Sequence, residues 1–161
     1  MIIRTIVDED FVQYKKPCMY IATAFCNGKC CKEAGIPLSV CLNDAWRGTA
    51  TIAMVDEAII ERYISNDITK AICFAGLEPF EQFEQMFNLI SKLRKEYHCD
   101  DTVIIYTGYY KEEIAERVEA LKEFNNIIIK FGRFVPDNAG RFDEVLGVHL
   151  ASDNQYAEQI S

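Results

Sequence analysis

The passage with the most chemical potential is Cys26-Asn-Gly-Lys-Cys30-Cys31-Lys-Glu-Ala-Gly-Ile-Pro-Leu-Ser-Val-Cys41. Thiolates are soft ligands that suit iron–sulfur clusters and zinc. A Cys-x3-Cys pair reaches two corners of a cluster from one short loop, and Cys41 can return to a third. Three thiolates would leave one iron open to a substrate ligand, as catalytic metal sites do and closed structural sites do not. The same spacing also serves a structural zinc bound by Cys26, Cys30 or Cys31, Cys41 and one other thiolate. Plain buried thiols are a third reading. Adjacent Cys30 and Cys31 point in different directions, so the two do not share one ion comfortably.

Two further segments carry chemistry because of what precedes them. Gly76-Leu77-Glu78-Pro79 follows the apolar run Ala71-Ile-Cys-Phe-Ala, and Thr107-Gly-Tyr follows Val103-Ile-Ile-Tyr. By itself Glu78 reads as an exposed acid at a helix start, and Thr107 as a hydroxyl that ends a strand.

The elements that must position these residues alternate apolar strands with amphipathic helices. Strands are expected at 19–24, 71–75, 103–106 and 127–131, and helices at 55–64, 81–97 and 111–124. In the second helix Phe83, Met86, Phe87, Ile90, Leu93 and Tyr97 recur at helical spacing. The β-branched runs at 103–105 and 127–129 suit parallel strands covered on both faces. A β-α-β-α order implies right-handed crossovers and a parallel α/β sheet, open or curled into a partial barrel. Ligands of such sheets bind at the carboxyl ends of the strands. The cysteine loop, the 76–79 turn and Thr107 all fall there. The polar tail at 151–161 is expected as a lid, a contact arm or a frayed end.

A chain of 161 residues is the size of one domain, so residues 1–161 are expected to form a single unit. Its 17 Lys and Arg against 25 Asp and Glu give a formal charge of −8, which argues against nucleic-acid binding. No run approaches the roughly 20 apolar residues that span a bilayer, and the acidic start is unlike a secretory leader. The expectation is a cytoplasmic protein with no membrane and no nucleic-acid partner. Seven cysteines in a reducing compartment point to metal or catalysis before cross-links. Cys18 and Cys73 fall in strand segments and Cys99 at a helix end, away from the rim. His98 and His149 have no partner at ligand spacing, and Trp46 either shields the cysteine loop or simply packs.

Taken together, these motifs resemble the radical S-adenosylmethionine superfamily, and within it the activating proteins of anaerobic ribonucleoside-triphosphate reductase. The superfamily's Cys-x3-Cys-x2-Cys motif is similar to Cys26 and Cys30 here, and Cys41-Leu-Asn43 resembles the end of the activating proteins' loop. Extra residues separate Cys30 from Cys41, and Val40 stands where an aromatic is usual. Gly76-Leu77-Glu78-Pro79 resembles the family's Gly-Gly-Glu-Pro turn, with Leu77 in place of the second glycine. Phe131-Gly-Arg-Phe and Leu150-Ala-Ser-Asp-Asn-Gln155 are similar to the activating proteins' Asp-Gly-Arg-Phe and Gly-Ser-x-Asn-Gln segments.

The resemblance implies a parallel sheet curled into a partial (β/α) barrel of about six strands. It also implies a 4Fe–4S cluster on Cys26, Cys30 and Cys41, with Cys31 as the alternative second ligand, and S-adenosylmethionine as cofactor. The methionine amine would be held by Gly76, Leu77 and Glu78, with Thr107 bonding the ribose or the carboxylate. The partners implied are a large glycyl-radical reductase as protein substrate and an external electron donor. A small-molecule substrate and a non-catalytic cysteine-ligated module are the competing functions.

Overall fold

The computed structural model describes all residues from 1 to 161. The chain opens with β1 (Ile2–Asp10), which pairs antiparallel with β2 (Cys18–Thr23). The cysteine segment follows as two short helices, α1 (Lys29–Ala34) and α2 (Asp44–Arg47), separated by a 3-10 turn at Leu38–Val40. A two-residue strand, β3 (Ile52–Ala53), returns to the outer edge of β1. Then α3 (Asp56–Ile64) leads to β4 (Ala71–Gly76), α4 (Phe83–Lys95) to β5 (Thr102–Tyr106), and α5 (Ala115–Leu121) to β6 (Ile127–Phe131). A small hairpin, β7 (Arg141–Asp143) with β8 (Val148–Leu150), precedes the last strand, β9 (Tyr156–Gln159).

The main sheet has seven strands in the order β3-β1-β2-β4-β5-β6-β9. Its centre, β2-β4-β5-β6, is parallel, while β1, β3 and β9 join antiparallel at the edges. The expected α/β class and central strands are present. The expected parallel sheet of about six strands curled into a partial (β/α) barrel is instead a mixed sheet of seven, with no closure between its edge strands β3 and β9. The tail is no loose arm: Tyr156–Gln159 pairs along β6, and Ser152 and Gln155 are buried.

Parallel strands added side by side in chain order, with right-handed crossovers, put every connecting helix on one face. That face is the larger core. Ile59, Ile60, Met86, Leu89, Ile90 and Leu93 pack on Met19, Ile21, Ile72, Phe74, Ile105 and Ile129. Each fully buried aliphatic contributes about 1.5–3 kcal/mol relative to exposure, so packing of this stripe holds α4 in place.

On the opposite face Ala22, Ala71, Cys73 and Ala75 are small, beside the larger Tyr20, Ile104 and Ile128. Tyr14, Leu146 and Leu150 cover it in place of a helix. A thin layer over small side chains leaves space beneath it, at the carboxyl ends of the strands. No helix is long and apolar enough to cross a membrane.

Candidate metal and cofactor site

The ends of β2 and β4 are tied together first. Thr23 Oγ1 donates to the Ala75 carbonyl at 3.0 Å, and Gly76 passes so close to Ala22 that a Cβ would meet its Cα at 2.8 Å. Gly76 also has φ +81°, so both the close approach and the backbone require glycine there. The next residue, Leu77, is largely buried, which explains how a side chain fits in place of a second glycine.

Cys26 follows β2, and left-handed Gly28 and Gly35 bracket the six-residue α1, folding it back over the strand ends. Successive helix positions point about 100° apart. Cys30 therefore leans toward Gly108, where a Cβ would meet its Sγ at 2.6 Å. Cys31 is buried, with Cys41, Arg47 and Cys26 among the groups that act on its thiol. Arg47 Nη2 donates to Cys26 Sγ at 3.4 Å. Burial, then Glu78 and Cys26, push the Cys30 thiol up to about 11.

The other three cysteines lie elsewhere. Cys18 and Cys73 are fully buried in neighbouring strands, with Asp10 beside Cys18, and Cys99 sits past α4 among the groups around Arg94.

Glu78 is not the exposed acid its position suggests: it is 6% exposed. Its Oε1 accepts from Thr107 Oγ1 at 2.7 Å and Phe80 N at 3.2 Å, and its Oε2 accepts from Gly108 N at 2.9 Å. Burial raises its pKa to about 7 against the pull of those donors. A carboxylate offers about four lone-pair positions, so one on Oε2 remains for a ligand. Thr107 is more constrained. Its hydroxyl proton goes to Glu78 and its oxygen accepts from Tyr109 N at 3.0 Å, so it orients the carboxylate and has no proton left for a ribose or carboxylate.

Sequence reasoning passed over Lys130. It is the penultimate residue of β6, 6% exposed, and its Nζ donates only to the carbonyls of Gly132 at 3.0 Å and Thr107 at 3.5 Å. Burial lowers its pKa to about 8, against the pull of Glu78 and Cys30. The signal was visible: a lysine between three isoleucines and a phenylalanine in a strand destined to be covered needs a reason.

Arg133, within the Phe131-Gly-Arg-Phe segment singled out from the sequence, had no role assigned there. It grips Glu113 through two bonds of 2.7 Å and meets Glu33 of α1 at 2.7 Å, and Lys29 of α1 also reaches Glu113. Four charges thus fasten the helix of Cys30 and Cys31 to the loops after β5 and β6. Arg133 holds the Glu113 carboxyl at about 2.

These parts surround one cavity of about 420 Å³. Cys26, Cys30, Cys31 and Cys41 line it together with Gly76, Leu77, Glu78, Thr107 and Lys130. Every residue proposed from the sequence for the site is therefore in one place. His149, set aside on sequence grounds, also lines this cavity, with its ring against Phe142.

No three Cys, His, Asp or Glu side chains converge tightly enough to hold a single metal ion. A cluster places each thiolate on a different iron, so its ligands stand apart around a shared volume. Four soft thiols facing one cavity, with a guanidinium at their side, fit a cluster better than one tetrahedral zinc.

Fold and site together define a cysteine-rich α/β domain with a metal-cluster cavity at the carboxyl ends of parallel strands. The chain matches the 4Fe-4S single cluster domain family over residues 23–155, and it belongs to that family. The match spans all four cavity thiols, the 76–78 turn, Thr107 and Lys130. The family is found in radical S-adenosylmethionine-type proteins. No curated protein and no solved structure matches the chain.

Proposed function

We propose that the chain cleaves S-adenosylmethionine reductively at its 4Fe–4S cluster, and that the resulting 5′-deoxyadenosyl radical installs a glycyl radical on a large anaerobic ribonucleotide reductase. The observation that carries this reading is the single cavity shared by the cysteine loop and the 76–78 turn. Its volume lies in the range of small-molecule and cofactor sites, about 300–1,000 Å³.

Cys26, Cys41 and the Cys30–Cys31 pair would hold the cluster. The chemistry that a bound, externally reduced cluster would supply there is one electron to break the sulfonium–C5′ bond of the cofactor. The chain's own residues bind and orient. Glu78 Oε2 and the carbonyls of Gly76 and Leu77 would accept from the amine of the methionine moiety. The Lys130 ammonium, which has no carboxylate partner, offers a donor to its carboxylate. Thr107 fixes the rotation of Glu78, and Val148 and Leu150 add apolar wall to the cavity. A thin cover at the strand ends leaves an approach for a loop of a protein substrate.

The test is anaerobic purification with iron and sulfide analysis, then incubation with S-adenosylmethionine, reductant and the reductase. Methionine, 5′-deoxyadenosine and a glycyl-radical doublet in electron paramagnetic resonance are expected. Cofactor cleavage with no radical on the reductase would move the reading to a small-molecule substrate. Zinc in place of iron and sulfide would leave a non-catalytic module.

A further inference from the structure

The turn at 150–155 is bound to the end of β6. Gln155 is 5% exposed and lines the cavity. Its Oε1 accepts from Ala151 N at 3.1 Å and Ser152 N at 3.3 Å, which closes the turn on itself. Its Nε2 donates outward, to the Gly132 carbonyl at 3.2 Å. That carbonyl also accepts from Lys130 Nζ at 3.0 Å, so its two lone pairs are divided between the amide and the ammonium. The next carbonyl, of Arg133, accepts from Asn154 Nδ2 at 2.9 Å and from Ser152 Oγ at 3.4 Å. Three side chains of one turn thus hold two consecutive carbonyls.

The strand β6 ends at Phe131, so the peptides of Gly132 and Arg133 lie beyond its ladder with β9. Gly132 N donates to the Tyr109 carbonyl at 3.0 Å, while the Gly132 oxygen is taken by the two side chains. Lys130 has one other acceptor, the more distant Thr107 carbonyl at 3.5 Å. If the Gly132 peptide turned, the ammonium would therefore turn with it. An ammonium has three protons. Two go to these carbonyls, and the third is left for the cavity that Lys130 lines. We propose that Gln155 is a positioning residue: through the Gly132 carbonyl it fixes the Lys130 ammonium so that its remaining proton meets the carboxylate of S-adenosylmethionine. This rests on the proposed function above and names what holds that cation in place. Gln155 acts through Lys130 and does not itself contact the carboxylate.

The experiment is a double-mutant cycle on the full chain, reconstituted anaerobically with iron and sulfide: wild type, Gln155→Met, Lys130→Met and the double variant. Affinity for S-adenosylmethionine is measured by equilibrium dialysis at equal iron content. Loss of one neutral hydrogen bond to the shared carbonyl should weaken binding about 2–10-fold in Gln155→Met. The same substitution in the Lys130→Met background should change affinity less than about twofold, because the residue it acts through is gone. A purely structural turn would weaken binding by the same factor in both backgrounds, and that result overturns the positioning role. So does an unchanged affinity in Gln155→Met. Gln155→Glu gives a reading that does not need the double variant to fold. It keeps an acceptor for Ala151 N and Ser152 N but puts a carboxylate beside the ammonium, where it competes with that of the cofactor. Its affinity should fall at least as far as that of Gln155→Met, and wild-type affinity in Gln155→Glu overturns the role as well. A wild type that binds no S-adenosylmethionine overturns the proposed function, and the positioning role with it.

Discussion

Lys130→Met should make the metal-free chain more stable while weakening cofactor binding. Lys130 holds its charge inside the sheet, bonded only to two carbonyls and to no carboxylate. Burial lowers its pKa from an ordinary 10.5 to about 8. At about 1.4 kcal/mol per pKa unit, the drop is equivalent to about 3 kcal/mol of stability forgone at neutral pH. Methionine fills a similar volume without a charge, but leaves the Gly132 and Thr107 carbonyls one donor short, a loss of about 1 kcal/mol. The net gain is about 1–2 kcal/mol, or a rise in Tm of about 2–8 °C.

The sign in pH is also fixed. A lowered lysine pKa means that wild-type stability grows as pH rises from about 8 to 10.5. The variant's advantage over wild type should shrink across that window and reverse near its upper end, and taking the difference removes the contribution of thiols and tyrosines common to both. Urea unfolding of both proteins from pH 7 to 10.5 measures it. The same variant should bind S-adenosylmethionine roughly tenfold or more weakly, the loss of one charged hydrogen bond of about 1.5–3 kcal/mol. A variant at least 1 kcal/mol less stable than wild type at pH 7 would show that Lys130 serves the strand, and the reasoning would fail.

Three other outcomes follow from the same geometry. Glu78→Ala should lower cofactor affinity about tenfold or more with iron content unchanged, by equilibrium dialysis on the reconstituted chain; equal affinity would remove the 76–78 turn from the site. Arg133→Met should cost about 2 kcal/mol in urea unfolding at pH 7, since its side chain is 7% exposed and binds Glu113 twice. Because Glu113 is held at about 2, its stabilisation is present above the ordinary carboxylate range and lost as pH falls toward 2, so the variant's deficit should shrink there. Cys18→Ala, Cys73→Ala and Cys99→Ala should each retain full iron after reconstitution, and loss of iron in any of them would place a ligand outside the cavity.

The central βα units were legible because their signals are local and repeated. The helical stripe from Phe83 to Leu93 and the β-branched run from Ile127 to Ile129 leave few alternatives. The edges were not, and the reason is physical. In β1, Arg4, Thr5 and Asp8 interrupt the apolar pattern, because only part of that strand is covered; Ile3 is fully buried and Val7 is exposed. The tail reads as polar because β9 is an edge strand, with Glu158 taken by Lys111 and Asp143 accepting from Ala157 N. Neither strand has enough apolar residues to announce itself before its neighbour is known.

The site was legible in its ligands and illegible in its shape, although the strands carry that shape in their alternation. Met19, Ile21, Ile72 and Phe74 are large and meet the helices, whereas Ala22, Ala71, Cys73 and Ala75, with Tyr20 the large exception, are small and face the other way. Runs that look uniformly apolar thus distinguish a face built to be packed from one built to leave room. Lys130 belongs to β6 but breaks its apolar run. A cation there costs stability unless the space beside it receives an anionic group, which is why the strand's least favourable residue points most directly to what the cavity is for.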